Sequence, residues 1–210
     1  MRDYIVEACV EGVDQAIRAE KQGASRIELC ASLDLDGLTP DVETVRAAFQ
    51  SCSIPIRVII RPREGGFVYS KSELEQMKQS ILQCKEIGVE GVVFGVTTGD
   101  NELDILAIRE LAKVAHPLKI TIHKAIDTVK NPSADLKKLI EIKEINAVLT
   151  SGTKQTCIEG STIIKELIEN AKSKLEIIAC GKVTDQNIEE VHQIIGAKAY
   201  HGKLVVGSLT

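Results

Sequence analysis

Gly23-Ala24-Ser25-Arg26-Ile27-Glu28-Leu29-Cys30 closes one helical segment and opens a strand. Apolar residues at helical spacing run as far as Gln22. A glycine at the next position accepts the left-handed backbone that stops a helix and turns the chain. The same punctuation returns at Gly88, after a periodic segment ending at Ile87 and before Gly91-Val92-Val93-Phe94. Working outward in both directions, short strand-like runs lie near 4–8, 26–29, 56–60, 91–94, 118–122, 147–150, 176–179 and 199–201. Each of the first seven is followed by a longer segment with helical periodicity, the alternation of a parallel sheet. Helix starts are marked by Thr39 before Pro40, by Asn131 before Pro132, and by Ser70 with Glu73 as a capping box.

Eight strands in this order predict a TIM-like (β/α) barrel formed by a single domain over 1–210. An open doubly wound sheet is the competing architecture, but no strand is followed by the G-x-G-x-x-G of a dinucleotide site. After the last strand only Gly202 to Thr210 remains, so the eighth helix is expected to be missing or truncated. The outer faces of the first and last strands would then be exposed, which predicts a homo-oligomer.

Hydrophobic residues make up 44% and charged residues 27% of the chain, as in ordinary globular proteins. Net charge is −4 with both signs interspersed, so nucleic acid and anionic membranes are not expected as partners. No run approaches the ~18 apolar residues of a spanning helix, and a cytoplasmic protein is expected. The six cysteines are scattered singly and are expected to be reduced thiols. Aromatic residues are only 3% with no Trp, too few for the stacking platforms of a sugar cleft.

In such a barrel the C-terminal strand ends converge on one mouth, where function concentrates. Glu7 and Glu28 fall near two neighbouring strand ends, where repulsion would raise one carboxyl's pKa, or Arg61 would hold both ionised. A purely structural ion pair is the competing reading. His123 ends an apolar strand with Asp127 four residues on, an arrangement suited to an acid, a base or a metal ligand. His201 closes the last strand. Cys9 and Cys30 each follow a glutamate by two residues, which points both thiols to a similar height and offers linear coordination to soft Cu(I). Buried structural thiols are the simpler alternative. Gly65-Gly66 and Ser151-Gly152 are loops whose backbone N–H groups could receive an anion. Lys124 alternates away from the interior if His123 faces in.

Together these segments resemble the CutC copper-homeostasis family over nearly the whole chain. The resemblance rests on Glu7-x-Cys9, on the 23–30 stretch, on Gly37-Leu38-Thr39-Pro40 and on Ile60-Arg61-Pro62-Arg63 with Gly65, Phe67, Tyr69 and Ser70. It continues through 91–95, Thr121-Ile122-His123-Lys124-Ala125-Ile126-Asp127, 148–152 and Tyr200-His201. It implies a cytoplasmic, self-associated barrel that binds copper, with Cys9 and Cys30 at the positions of the suggested Cu(I) ligands. Glu7, Glu28, Arg61, His123, Asp127 and His201 match the family's polar mouth. The chain departs from the family pattern at Asp36-Gly37, at Arg63-Glu64-Gly65-Gly66 and at Ala179-Cys180-Gly181-Lys182, where glycines are lost. Two functions follow as expectations: a cytosolic Cu(I) buffer or carrier, or an enzyme acting on a small anionic or hydroxylated metabolite. In the second, His123 or Glu28 would move a proton and Arg61 would hold the substrate.

Overall fold

The strand Arg26–Cys30 is buried at every position, and a strand covered on both faces belongs in a parallel sheet with helices outside it. The computed structural model, which describes residues 3–210, places it in such a sheet. Eight strands, β1 (Ile5–Glu11), β2 (Arg26–Cys30), β3 (Ile56–Ile59), β4 (Gly91–Phe94), β5 (Lys119–Ile122), β6 (Ile145–Thr150), β7 (Glu176–Cys180) and β8 (Ala199–Gly202), run parallel in chain order. β1 pairs with β8 and closes the barrel. The expected TIM-like (β/α) barrel is therefore the fold.

Seven α-helices surround it: α1 (Gly12–Lys21), α2 (Val42–Ser51), α3 (Lys71–Ile87), α4 (Ile105–Ala115), α5 (Pro132–Ile140), α6 (Ser161–Ala171) and α7 (Ile188–Ile195). Local chemistry sets their ends. Ser70 and Glu73 form the complete capping box of α3, and Gly88 stops that helix at φ 89°. Asn131 caps α5 ahead of Pro132. At α2 the expected start is corrected: Asp41, not Thr39, is the cap and accepts the Thr44 amide. The Thr39 hydroxyl instead accepts the Arg61 amide, tying the loop after β2 to the end of β3.

Outward side chains such as Ile27, Leu29, Val58 and Ile60 form the main core under the helices. Inside the barrel a smaller apolar cluster of Ala147, Leu149, Ile178, Cys180 and Ala199 fills one side. A further small cluster joins Cys9, Cys30 and Ile59, and the interior also holds the buried charged side chains of Glu7, Arg26, Glu28, Arg57 and His201, which position the site.

No α-helix follows β8 among the described residues. The seam is nevertheless covered, contrary to expectation. Tyr4, Val6, Ala8 and Tyr200 on the outer faces of β1 and β8 are all buried. Tyr4, Tyr200 and His192 of α7 pack ring against ring, with centroids 4.5 to 5.6 Å apart. The final segment folds back over α1, where Arg18 donates to the Leu209 carbonyl at 2.8 Å and Val205 and Leu209 enter the core. The ground for expecting self-association at that seam falls away. No helix among the described residues is long and apolar enough to cross a membrane.

Candidate functional site

Charges buried in a barrel persist only when paired, and the pairing here begins at Glu7. Its carboxylate accepts from Arg26 Nε and lies 2.9 Å from His201 Nδ1. Arg26 also reaches Glu176 at 2.8 Å, while Arg57 donates to Glu90 at 2.7 Å and to Thr121 at 2.8 Å. Arg26, not Arg61, is thus the cation that holds Glu7 ionised. Burial alone would push Glu7 up, but Arg26 and His201 outweigh it and bring its pKa down to about 2. Glu28 moves the other way, raised by burial with the Glu7 charge adding to it. Burial would lower His201, yet Glu28, Cys9 and Glu7 raise it well above its usual value, so the ring is an imidazolium.

The thiols lie just above this layer. The register sets Cys9 beside Glu28, and Glu11 beside Cys30. Cys9 and Cys30 are therefore not at one height, as the repeated Glu-x-Cys pattern suggested, but diagonal to each other across the ladder. Their sulfurs still come to 4.0 Å. Cys9 donates to Glu28 Oε1 at 3.6 Å, and Cys30 to the Val10 carbonyl at 3.2 Å. Ligand atoms of Cys9, Glu28 and His201 lie within 4.8 Å of one another. The Cys30 contact and burial push the Cys9 thiol pKa well up.

A second wall comes from β3 to β5. Arg61 donates to the carbonyls of Leu35, Gly37 and Gly65 at 2.7 to 3.1 Å, and its guanidinium sits 5.5 Å from the centre of the Phe67 ring. The His123 ring packs against the same Phe67, tilted by 46° with centroids 4.6 Å apart. His123 Nδ1 accepts the Ala125 amide at 3.1 Å, so Asp127 does not orient this ring. Burial and the Arg61 charge hold the His123 pKa down to about 3, so it is neutral with its proton on Nε2. The ring fits against β4 only because position 95 is glycine: a Cβ there would stand 2.7 Å from its Nδ1 and Cε1.

Asp127 has a different task from the one expected. Its oxygens accept from the Ser151 amide at 2.9 Å, the Thr153 amide at 3.0 Å, and the hydroxyls of Thr150 and Ser151. The loop after β6 therefore turns its N–H groups on Asp127, and the Ser151-Gly152 backbone is not open to an external anion.

These residues surround a cavity of about 790 Å3 at the C-terminal mouth, the size class of small-molecule sites. Cys9, Glu28, Arg61, His123, Asp127 and His201 all line it, whereas Glu7 lies beneath. Lys124, Lys154, Lys182 and Lys203 form an exposed rim. Arg26, Arg57, Phe67 and Gly95 are the residues that sequence reasoning did not assign to the site. Alternation back from Glu28 and Arg61 puts Arg26 and Arg57 on the inward face, a signal that was present.

Fold and site define a parallel β/α barrel with a paired-thiol centre under a polar, lysine-rimmed mouth. Residues 4–206 match the CutC family, and the chain belongs to it. It is 39% identical over 198 residues to the human copper homeostasis protein cutC homolog, covering 94% of this chain and 72% of that protein. It is also 39% identical over 197 residues to a CutC family protein of Mesorhizobium japonicum, covering 94% and 76%. The putative copper homeostasis protein CutC of Streptococcus agalactiae superposes with a TM-score of 0.91 at 31% identity, covering 96% of this chain and 99% of that one.

Proposed function

We propose that this chain binds Cu(I) between Cys9 and Cys30 and serves copper homeostasis as a cytosolic buffer or carrier. The observation that carries the reading is the sulfur pair, buried and 4.0 Å apart on two adjacent strands. Soft thiolates select Cu(I). With metal–sulfur bonds of about 2.3 Å, sulfurs 4.0 Å apart subtend roughly 120° at an ion between them. That angle leaves place for a third donor instead of the linear pair expected from the sequence. His201 is the group suited to it once the imidazolium gives up its Nε2 proton, which the metal must displace. Its Nδ1 is held by Glu7 at 2.9 Å and its Nε2 faces the Glu28 side, 3.8 Å from that carboxylate. A carboxylate behind a ligating imidazole fixes its orientation and raises its basicity, and Arg26 fixes Glu7 in turn.

Competition against a Cu(I) chelator tests this. The Cys9→Ser, Cys30→Ser double variant should lose binding by orders of magnitude, and His201→Asn should weaken it less. Wild-type affinity in the double variant refutes the assignment.

A further inference from the structure

Three buried side-chain atoms on residues that line this cavity have no hydrogen-bond partner: Glu28 Oε2, Arg61 Nε and His123 Nε2. Native proteins seldom leave such an atom unpaired, so each of the three asks for a partner. The three come from β2 and from the ends of β3 and β5, and all three residues line the one cavity. A copper ion on the thiols explains neither Arg61 nor His123, and a cavity of about 790 Å3 far exceeds an ion.

Charge narrows the occupant. The chain as a whole carries −4, yet four lysines ring this mouth with Arg61 below them. Asp36 is the exposed acid among the lining groups, and Asp127 is already committed to the loop after β6. A cavity lined by one sign of charge concentrates ligands of the other.

Chemistry narrows it again. The Ala125 amide occupies His123 Nδ1, so the ring presents an uncharged Nε2–H. A neutral imidazole donor in a dry site polarises a carbonyl oxygen without needing a counter-ion. Glu28 supplies the one carboxylate oxygen among the described residues that is buried without a partner.

We propose that the mouth is a substrate site for a small keto acid or keto phosphate, with the anionic group on the lysine rim, the carbonyl oxygen on His123 Nε2–H, and Glu28 as the proton acceptor. Glu28 takes a proton from the carbon next to the carbonyl, and the C–H electron pair passes into an enolate whose oxygen His123 stabilises. While the enolate persists the Glu28 carboxyl exchanges its proton with solvent, and a solvent-derived proton then passes from Glu28 back to the same carbon. Nothing is oxidised or reduced, and no co-reactant is consumed. Glu28 is placed for this by geometry, as a residue that lines the cavity and keeps one carboxylate oxygen without a partner. The inference does not depend on copper.

The test uses chelator-treated full-length protein in D2O with pyruvate, dihydroxyacetone phosphate and inorganic phosphate as probes. NMR should show binding and deuterium entering the carbon next to the carbonyl in pyruvate or dihydroxyacetone phosphate. Whichever of the two exchanges identifies carboxylate or phosphate as the anionic group. Lys154→Ala with Lys182→Ala, both at exposed positions outside the core, should weaken binding about tenfold, and less in high salt. Glu28→Gln should abolish exchange, and His123→Asn should slow it more than it weakens binding, with thermal melts confirming that each variant is folded. The site is refuted if neither keto compound binds, or if the lysine variant binds as tightly as wild type. The proton step is refuted if bound ligand does not exchange, or exchanges equally fast in folded Glu28→Gln.

Discussion

Gly95→Ala is the smallest change that should disturb the second wall, and its cost follows from the contacts. The new methyl would lie 2.7 Å from Nδ1 and Cε1 of His123 and 2.8 Å from Cβ of Ala125. His123 cannot retreat freely, because its backbone amide donates to Phe94 and its ring packs on Phe67. Moving the ring breaks the bond from the Ala125 amide and strands a buried N–H, at about 1–3 kcal/mol. Overpacking adds about 1–3 kcal/mol. The expected loss is about 2–6 kcal/mol, measured by urea unfolding with an unchanged m-value. A domain of this length should also melt lower by about 2–4 °C for each kcal/mol. The double variant Gly95→Ala, His123→Ala removes two of the three clashes, so the penalties should fall short of additivity by at least about 1 kcal/mol. A Gly95→Ala protein as stable as wild type, or strictly additive penalties, would refute the reasoning.

Other perturbations read the remaining parts of the mouth. Arg26→Met strands the Glu7 carboxylate and should cost about 3–5 kcal/mol, most of it recovered by adding Glu7→Gln; failure of that rescue in equilibrium unfolding would show that the pair does not carry the cost. Because the Cys9 thiol is raised, Cu(I) must displace its proton, so apparent affinity should climb at least tenfold per pH unit through neutrality, and a flat profile would count against thiolate ligation. The His123 ring titrates near 6.5 when unfolded and near 3 when folded, so the unfolded chain binds the extra proton between those values. Stability present above about pH 6.5 should therefore decline toward pH 3, by about 3 kcal/mol from this group at about pH 4.5, and His123→Gln should flatten that limb of a pH–stability curve.

The fold was legible because each strand announces itself locally: Gly23 and Gly88 end helices, and the runs after them are too short and apolar to be anything else. Register was not legible. Parallel strands in a barrel are staggered by closure of the whole ring, so nothing local in Glu7-x-Cys9 and Glu28-x-Cys30 reveals that Cys9 faces Glu28. For the same reason the cation beside Glu7 was sought at the strand ends, in Arg61, when Arg26 sits next to it in the ladder. Asp127 was misread because its partners, Ser151 and Thr153, arrive from the far end of β6. Gly95 carried no sequence signal as a site residue, since its role is defined by a ring on another strand.

The carboxylate of Asp127 also has a bearing on how this scaffold can change. It occupies the loop after β6 as an internal tenant, holding two amides and two hydroxyls. The barrel thus keeps a ready-made anion nest closed by one of its own side chains. A single Asp127→Gly change would vacate it, and the loop would then seek its missing negative charge from outside. Between a self-plugged loop and one that captures an oxyanion through main-chain donors lies one codon.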